Sequence, residues 1–346
     1  MNRRNNFDLL RLLAAAGVMA LHIVDLSREP SLSVLAGFDA KMALSVFFVI
    51  SGYLVYMSCD NTATLAEYTR KRWRRIVPAY AAVVVLCGLL GVFISARSAA
   101  DYFGAEWLRY LLANLSFLNF IQPSLPGVFV GNPYPGAPVN GALWTIKVEL
   151  MFYAVVPAIV WLVRRFGHHR VLGIGFALSC LWWGGFMTLA QATGKAAFAE
   201  LAKQMPGQLM FFLPGAWAYC ERERLKSLGH RLGLVGLAAL SLTYLWDARS
   251  ANLGVFLYPL ALTALVFWAT YNLRPLGDVT RHGDVSYGVY ILHFPVIQTL
   301  VHFGVFKASP WGGVVLASTV VLGLALVSWH VVEKPMLSPQ RRLVAP

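Results

Sequence analysis

The 346 residues include 58% hydrophobic and only 13% charged side chains, a balance too apolar for a water-soluble domain and suited to a helical bundle in lipid. The net charge of +13 does not point to nucleic acid, because the basic residues fall in short clusters between apolar runs, as in the cytoplasmic loops of membrane proteins. Cys59, Cys87, Cys180 and Cys220 are too scattered for a zinc motif or a disulfide framework, so free thiols are expected.

The first apolar run, 7–26, follows Asn2-Arg3-Arg4-Asn5-Asn6. It holds Asp8, Arg11 and His22 and lacks a small-residue cleavage site, so it reads as a retained helix and not as a signal peptide. At 100° per residue, Arg11 and His22 lie about 20° apart around that helix and roughly 16 Å apart along it. Asp8 and Asp25 each stand three residues from one member of the pair, within reach on the helix surface. The second run, 42–58, contains Ser51-Gly52, small residues that allow close helix approach. No GxSxG elbow surrounds Ser51 to make it a nucleophile. Arg70, Lys71, Arg72, Arg74 and Arg75 precede the third run, 76–96. Such a cluster marks topology or anionic lipid; alternatively, Arg72 and Arg75, one turn apart, make a fork for phosphates.

Residues 97–142 form the longest loop, uncharged from Gln122 to Gly141 and rich in Pro and Gly, which predicts a folded lid or substrate surface. Within it, 107–121 is apolar but short and carries Arg109, the pattern of an interfacial or re-entrant helix. The fourth run, 143–163, opens near Trp144 and holds Lys147 and Glu149, which two-residue spacing sends to different faces. Glu149 matches His22 in depth, a position suited to orienting an imidazole. Further runs occupy 171–190, 206–221, 232–247, 253–272, 286–306 and 311–331. His168 and His169 fall in a loop with no evident metal partner, so no metal is expected. Tyr290 and His293 lie in the ninth run, and Glu333-Lys334-Pro335 reads as the end of the tenth.

These runs predict an all-α polytopic transmembrane helical bundle of about ten spans with both termini cytoplasmic. In that orientation nineteen basic residues lie inside and eight outside, as the positive-inside tendency requires. Residues 1–346 are expected to form one domain, with 97–142 as its extracytoplasmic loop or lid. Ionisable groups within spans are costly and mark sites. His22, Glu149 and Asp25 are the candidate catalytic residues, and Ser51, Trp144, Lys147, Tyr290 and His293 are candidates for lining a substrate cavity. The same His and Glu residues suit a proton relay, so a proton-coupled transporter of a lipid-linked sugar or small anion is the alternative function. Its expected inverted repeats are not found in the sequence.

Taken together, Arg11-x10-His22, Ser51-Gly52-Tyr53-Leu54, the Arg72-x-x-Arg75 pair, LWTIKVELMFY at 143–153, YGVYILHFP at 287–295 and WHVVEKP at 329–335 resemble the acyltransferase 3 family over nearly the whole chain. The fourth motif departs from the family's frequent WS and EE, reading Trp144-Thr145 and Glu149-Leu150. The resemblance implies a ten-helix membrane O-acyltransferase of the bacterial cytoplasmic (inner) membrane. Such an enzyme passes an acyl group, typically acetyl, from cytoplasmic acyl-CoA to a hydroxyl of a cell-envelope or exported glycan. By the same resemblance His22 is the essential histidine, Arg11 its partner arginine, and Arg72 and Arg75 the residues on the CoA side. His22 then either removes the acceptor's proton or is itself acylated. The expected partners are acyl-CoA, the glycan or other hydroxyl acceptor and membrane lipid.

Overall fold

A backbone in hydrocarbon has no water to satisfy its amides, so an apolar run must close its hydrogen bonds within itself. A computed structural model describes residues 6–37, 40–247, 251–274 and 283–337, and no strand occurs among them. Arg3, Arg4, Arg249, Arg281, Arg341 and Arg342, all used in the charge count, lie outside the described residues. Each expected run forms a helix: α1 Phe7–Ser27, α2 Ala40–Asp60, α3 Leu65–Leu90, then, after the short α4 Ala105–Leu115, α5 Trp144–Phe166 and α6 His168–Thr193. The remainder are α7 Met205–Cys220, α8 His230–Asp247, α9 Ala251–Tyr271, α10 Ser286–His302 and α11 Pro310–Ser328. Among the described residues seven helices are long and apolar enough to cross a membrane. α7 and α10, with 16 and 17 residues, fall short of that length, and so does the described apolar part of α8, His230–Thr243.

Two boundaries differ from expectation. The short helix ends at Leu115 and not near 121, because Phe117 turns left-handed (φ 59°). Leu118 N–H then bonds back to the Ala113 carbonyl at 2.8 Å, closing the end in the manner of a Schellman motif. At 11 residues α4 is too short to cross, and it is two-faced: Leu108 and Leu112 are exposed, Tyr110 and Asn114 buried. Glu333-Lys334-Pro335 does not terminate α11. The chain passes instead through a π-turn, Trp329–Glu333, into a further helical turn, Lys334–Leu337, and Glu333 is 2% exposed.

The chain divides into two compact units. The first comprises Met1–Ala14, Lys41–Tyr68 and Val148–Asp278; the second comprises Ala15–Ala40, Thr69–Lys147 and Val279–Pro346. In the first, Gly52 of α2 lies against the Phe212 carbonyl of α7, and Gly215 of α7 against the Val49 carbonyl, so that a Cβ at either position would strike backbone. Small residues thus bring two helices into direct backbone contact, as expected of Ser51-Gly52.

In the second unit the loop after α4 is laid on α10. Asn132 Nδ2 donates to the Gln298 carbonyl (2.9 Å) and to its side-chain oxygen (2.8 Å), while Gln298 Nε2 donates to the Pro138 carbonyl at 3.0 Å. Proline explains the most consequential of these contacts. Pro295 has no N–H for the Ile291 carbonyl four residues back. Asn140 Nδ2 of the loop supplies the missing donor at 2.8 Å. The same repair recurs in the first unit. Tyr68 Oη donates to the Tyr153 carbonyl, four residues before Pro157 (3.0 Å), and Cys180 Sγ to the Val255 carbonyl, four before Pro259 (3.6 Å).

Candidate active site

His22 sits in the second unit beside His293 of α10. The His22 Nδ1 and His293 Nε2 atoms are 2.7 Å apart, and the rings stack at 5.0 Å between centroids. His293 is fully buried, and its other nitrogen, Nδ1, faces the Val289 carbonyl at 3.1 Å. Phe294, next in sequence, sets its edge on His22 (5.1 Å between centroids). Gly141 makes room for that ring, since a Cβ there would come within 2.7 Å of Phe294. Tyr134 of the loop packs at a right angle to the same ring, 6.0 Å between centroids. Tyr290 lies beside His293 and shares a 2.7 Å hydrogen bond with Thr145 at the start of α5. The hydroxyl of Thr145 is therefore used at the position where the family's frequent motif has serine.

The sequence predicts Glu149 or Asp25 as the partner of the His22 imidazole. Its observed partner is His293, and no hydrogen bond joins Asp25 to His22 among the described residues. Glu149, in the first unit, accepts from Ser51 Oγ at 3.2 Å and from Tyr153 Oη at 2.6 Å. Lys147 lies over the Phe120 ring at 4.9 Å, within the second unit. Arg11 pairs with Asp8 at 3.8 Å. Arg72 and Arg75 share a face of α3, and Arg75 is engaged by Asp284 and, at 3.9 Å, by Glu333. Ser286 and Ser328 donate to those two carboxylates at 2.7 and 3.1 Å. Trp144 opens α5.

His168 and His169 are not loop residues. They begin α6, and their Nε2 atoms meet Glu221 Oε1 at 2.8 and 3.4 Å. Trp217 Nε1–H donates to His169 Nδ1 at 3.3 Å, which puts the proton of the neutral ring on the nitrogen facing Glu221. The cluster is thereby satisfied as a hydrogen-bonded tie between α6 and the end of α7. Sequence reasoning missed Asn140, Gly141, Phe294 and Asp284. Asn140 had a usable signal: a proline inside a span leaves a carbonyl that something must satisfy.

The acyltransferase domain of the acyltransferase 3 family matches residues 4–330. An O-acetyl transferase of Shigella phage Sf6 is 28% identical over 98% of this chain and 97% of its own length. Nodulation protein 10 of Rhizobium leguminosarum bv. viciae is 27% identical over 99% and 95%. The peptidoglycan O-acetyltransferase OatA of Listeria monocytogenes is 22% identical over 96% of this chain and 55% of its own. No solved structure matches.

Proposed function

We propose a function from one premise: this chain belongs to the acyltransferase 3 family. As an O-acyltransferase carried by apolar helices, it takes its acyl group, acetyl first among the candidates, from acyl-CoA on the cytoplasmic side. It delivers that group to a hydroxyl of a cell-envelope or exported glycan. The membrane is the bacterial inner membrane, crossed about ten times with both ends inside. Support for the glycan comes from relatives whose names specify O-acetyl transfer and, in one case, peptidoglycan.

The single observation that carries the reading is His22, held by His293 in a family of acyltransferases. An imidazole fixed on a helix suits the removal of a hydroxyl proton as that oxygen attacks a thioester. Asp25 and the candidates Tyr290, Trp144 and Lys147 surround the substrates in this reading. Arg72 and Arg75 face the donor's phosphates, and a phosphate has to compete with Asp284 and Glu333 for Arg75. Glu149 contributes its charge from within the Ser51 and Tyr153 hydrogen bonds. The test is transfer from acetyl-CoA to glycan by purified protein in liposomes. His22→Ala is expected to lose turnover by about 10²–10⁴; turnover at the wild-type rate overturns the proposal. Glu149→Gln keeps an acceptor for both hydroxyls and should remain folded while turnover falls. Loss of acetyl from envelope glycans on gene deletion identifies the acceptor.

A further inference from the structure

We infer that His293 is a positioning residue that holds His22 in a single tautomer, leaving His22 Nε2 as the nitrogen that handles the substrate proton; this rests on the acyl-transfer reading above. The argument runs outward from a group with no choice. A backbone carbonyl can only accept, so the Val289 oxygen, 3.1 Å from His293 Nδ1, requires a proton on that nitrogen. The neutral ring then has a lone pair at Nε2. Two lone pairs at 2.7 Å would repel, so His22 Nδ1 must bring the hydrogen to that contact. His22 consequently presents a lone pair at Nε2, which has no hydrogen-bond partner among the described residues. Phe294, seated against Gly141, fixes the ring from the side.

The chain of hydrogen bonds also has a closed end. His293 can pass nothing onward, because the Val289 carbonyl is no base. A proton taken up by His22 is thus kept at the pair and must leave by the way it came. The step balances on that one nitrogen. The acceptor O–H proton goes to His22 Nε2 as the C–O bond forms and the C–S bond of the thioester breaks. Nε2 then returns the proton to the departing thiolate, giving ester and free CoA thiol. An acyl group on Nε2 would occupy the nitrogen that the hydroxyl proton needs, so transfer is direct from donor to acceptor. A proton passed from His22 to His293 stops there, since the hydrogen bond beyond ends on the Val289 carbonyl.

The decisive measurement is on the intact wild-type chain: 15N NMR of histidine-labelled protein in nanodiscs, with the His22 and His293 signals assigned by their loss in single variants. His22 is expected to show a protonated Nδ1 and an unprotonated Nε2, and His293 the same; a proton on His22 Nε2 overturns the inference whatever the enzyme does. Kinetics supply the second readout. His293→Gln retains an acceptor near the old Nε2 position and should keep turnover within about tenfold, whereas His293→Leu, of similar bulk, should lose about 10²–10⁴ in kcat with KM for acetyl-CoA unchanged. Equal loss in both variants overturns it. Absence of acyl transfer by wild-type protein would defeat the functional reading alone, since the tautomer is read without turnover.

Discussion

Asn140 and Gly141 are neighbours in sequence with different tasks at one place. Asn140 satisfies the carbonyl that Pro295 leaves open, and Gly141 leaves space for the ring that steadies His22. Asn140→Ala leaves the buried Ile291 carbonyl without its donor and should cost about 1–3 kcal/mol of stability, measurable by unfolding in detergent. Gly141→Ala forces a methyl group into Phe294, an overpacking worth about 1–3 kcal/mol. Its signature is different, because the displaced ring is the one on His22: turnover should fall more than the loss of folded protein accounts for. Glycine is needed here for closeness alone, since its backbone is not left-handed.

At the scale of elements, three prolines inside helices are points of attachment. The carbonyls freed by Pro157, Pro259 and Pro295 are met by Tyr68, Cys180 and Asn140, each from a segment distant in sequence. Tyr68→Phe should therefore destabilise by about 1–3 kcal/mol, a cost that thermal unfolding would register and that Tyr→Phe at an exposed position would not. The first half of α3 holds a second attachment. Arg75 joins α3 to Asp284, just before α10, and to Glu333 in the π-turn after α11. Arg75→Ala takes the guanidinium away from buried Glu333 and should cost about 3 kcal/mol, with partial recovery in Arg75→Ala/Glu333→Gln. Arg72→Ala should raise KM for acetyl-CoA by about tenfold, the loss of one charge-assisted contact to phosphate.

The long helices were legible because length and hydropathy are local properties: each apolar run has its helix, and His22 stood out by the cost of an imidazole in a span. Its partner was not legible. The separation of 271 positions between His22 and His293 carries no periodic signal, and a carboxylate was the more familiar orienting group. The end of α4 was missed because a left-handed phenylalanine has no mark in sequence. Glu333 was misread because Glu-Lys-Pro signals a helix end, a local preference that the ion pair with Arg75 overrides.

For the molecule as a whole, the orientation in the membrane is the property on which the donor and acceptor sides depend. Ala100 and Ser227 are both exposed. Cysteine at position 100 should react with a membrane-impermeant maleimide added outside intact cells, and cysteine at 227 only after the inner face is opened. The opposite result would exchange the two sides and place the glycan where CoA is expected.

The contact between Asn140 and Ile291 also carries a consequence for how the protein is made. The two residues are 151 positions apart, so the loop leaves the ribosome long before the helix it completes. α10 enters a membrane in which the donor for its bare carbonyl has already been synthesised, and it cannot be finished without that donor. His293 travels on the same helix. Catalytic competence is therefore a late event of synthesis, and a nascent chain halted anywhere before α10 has His22 in place but nothing to set its tautomer.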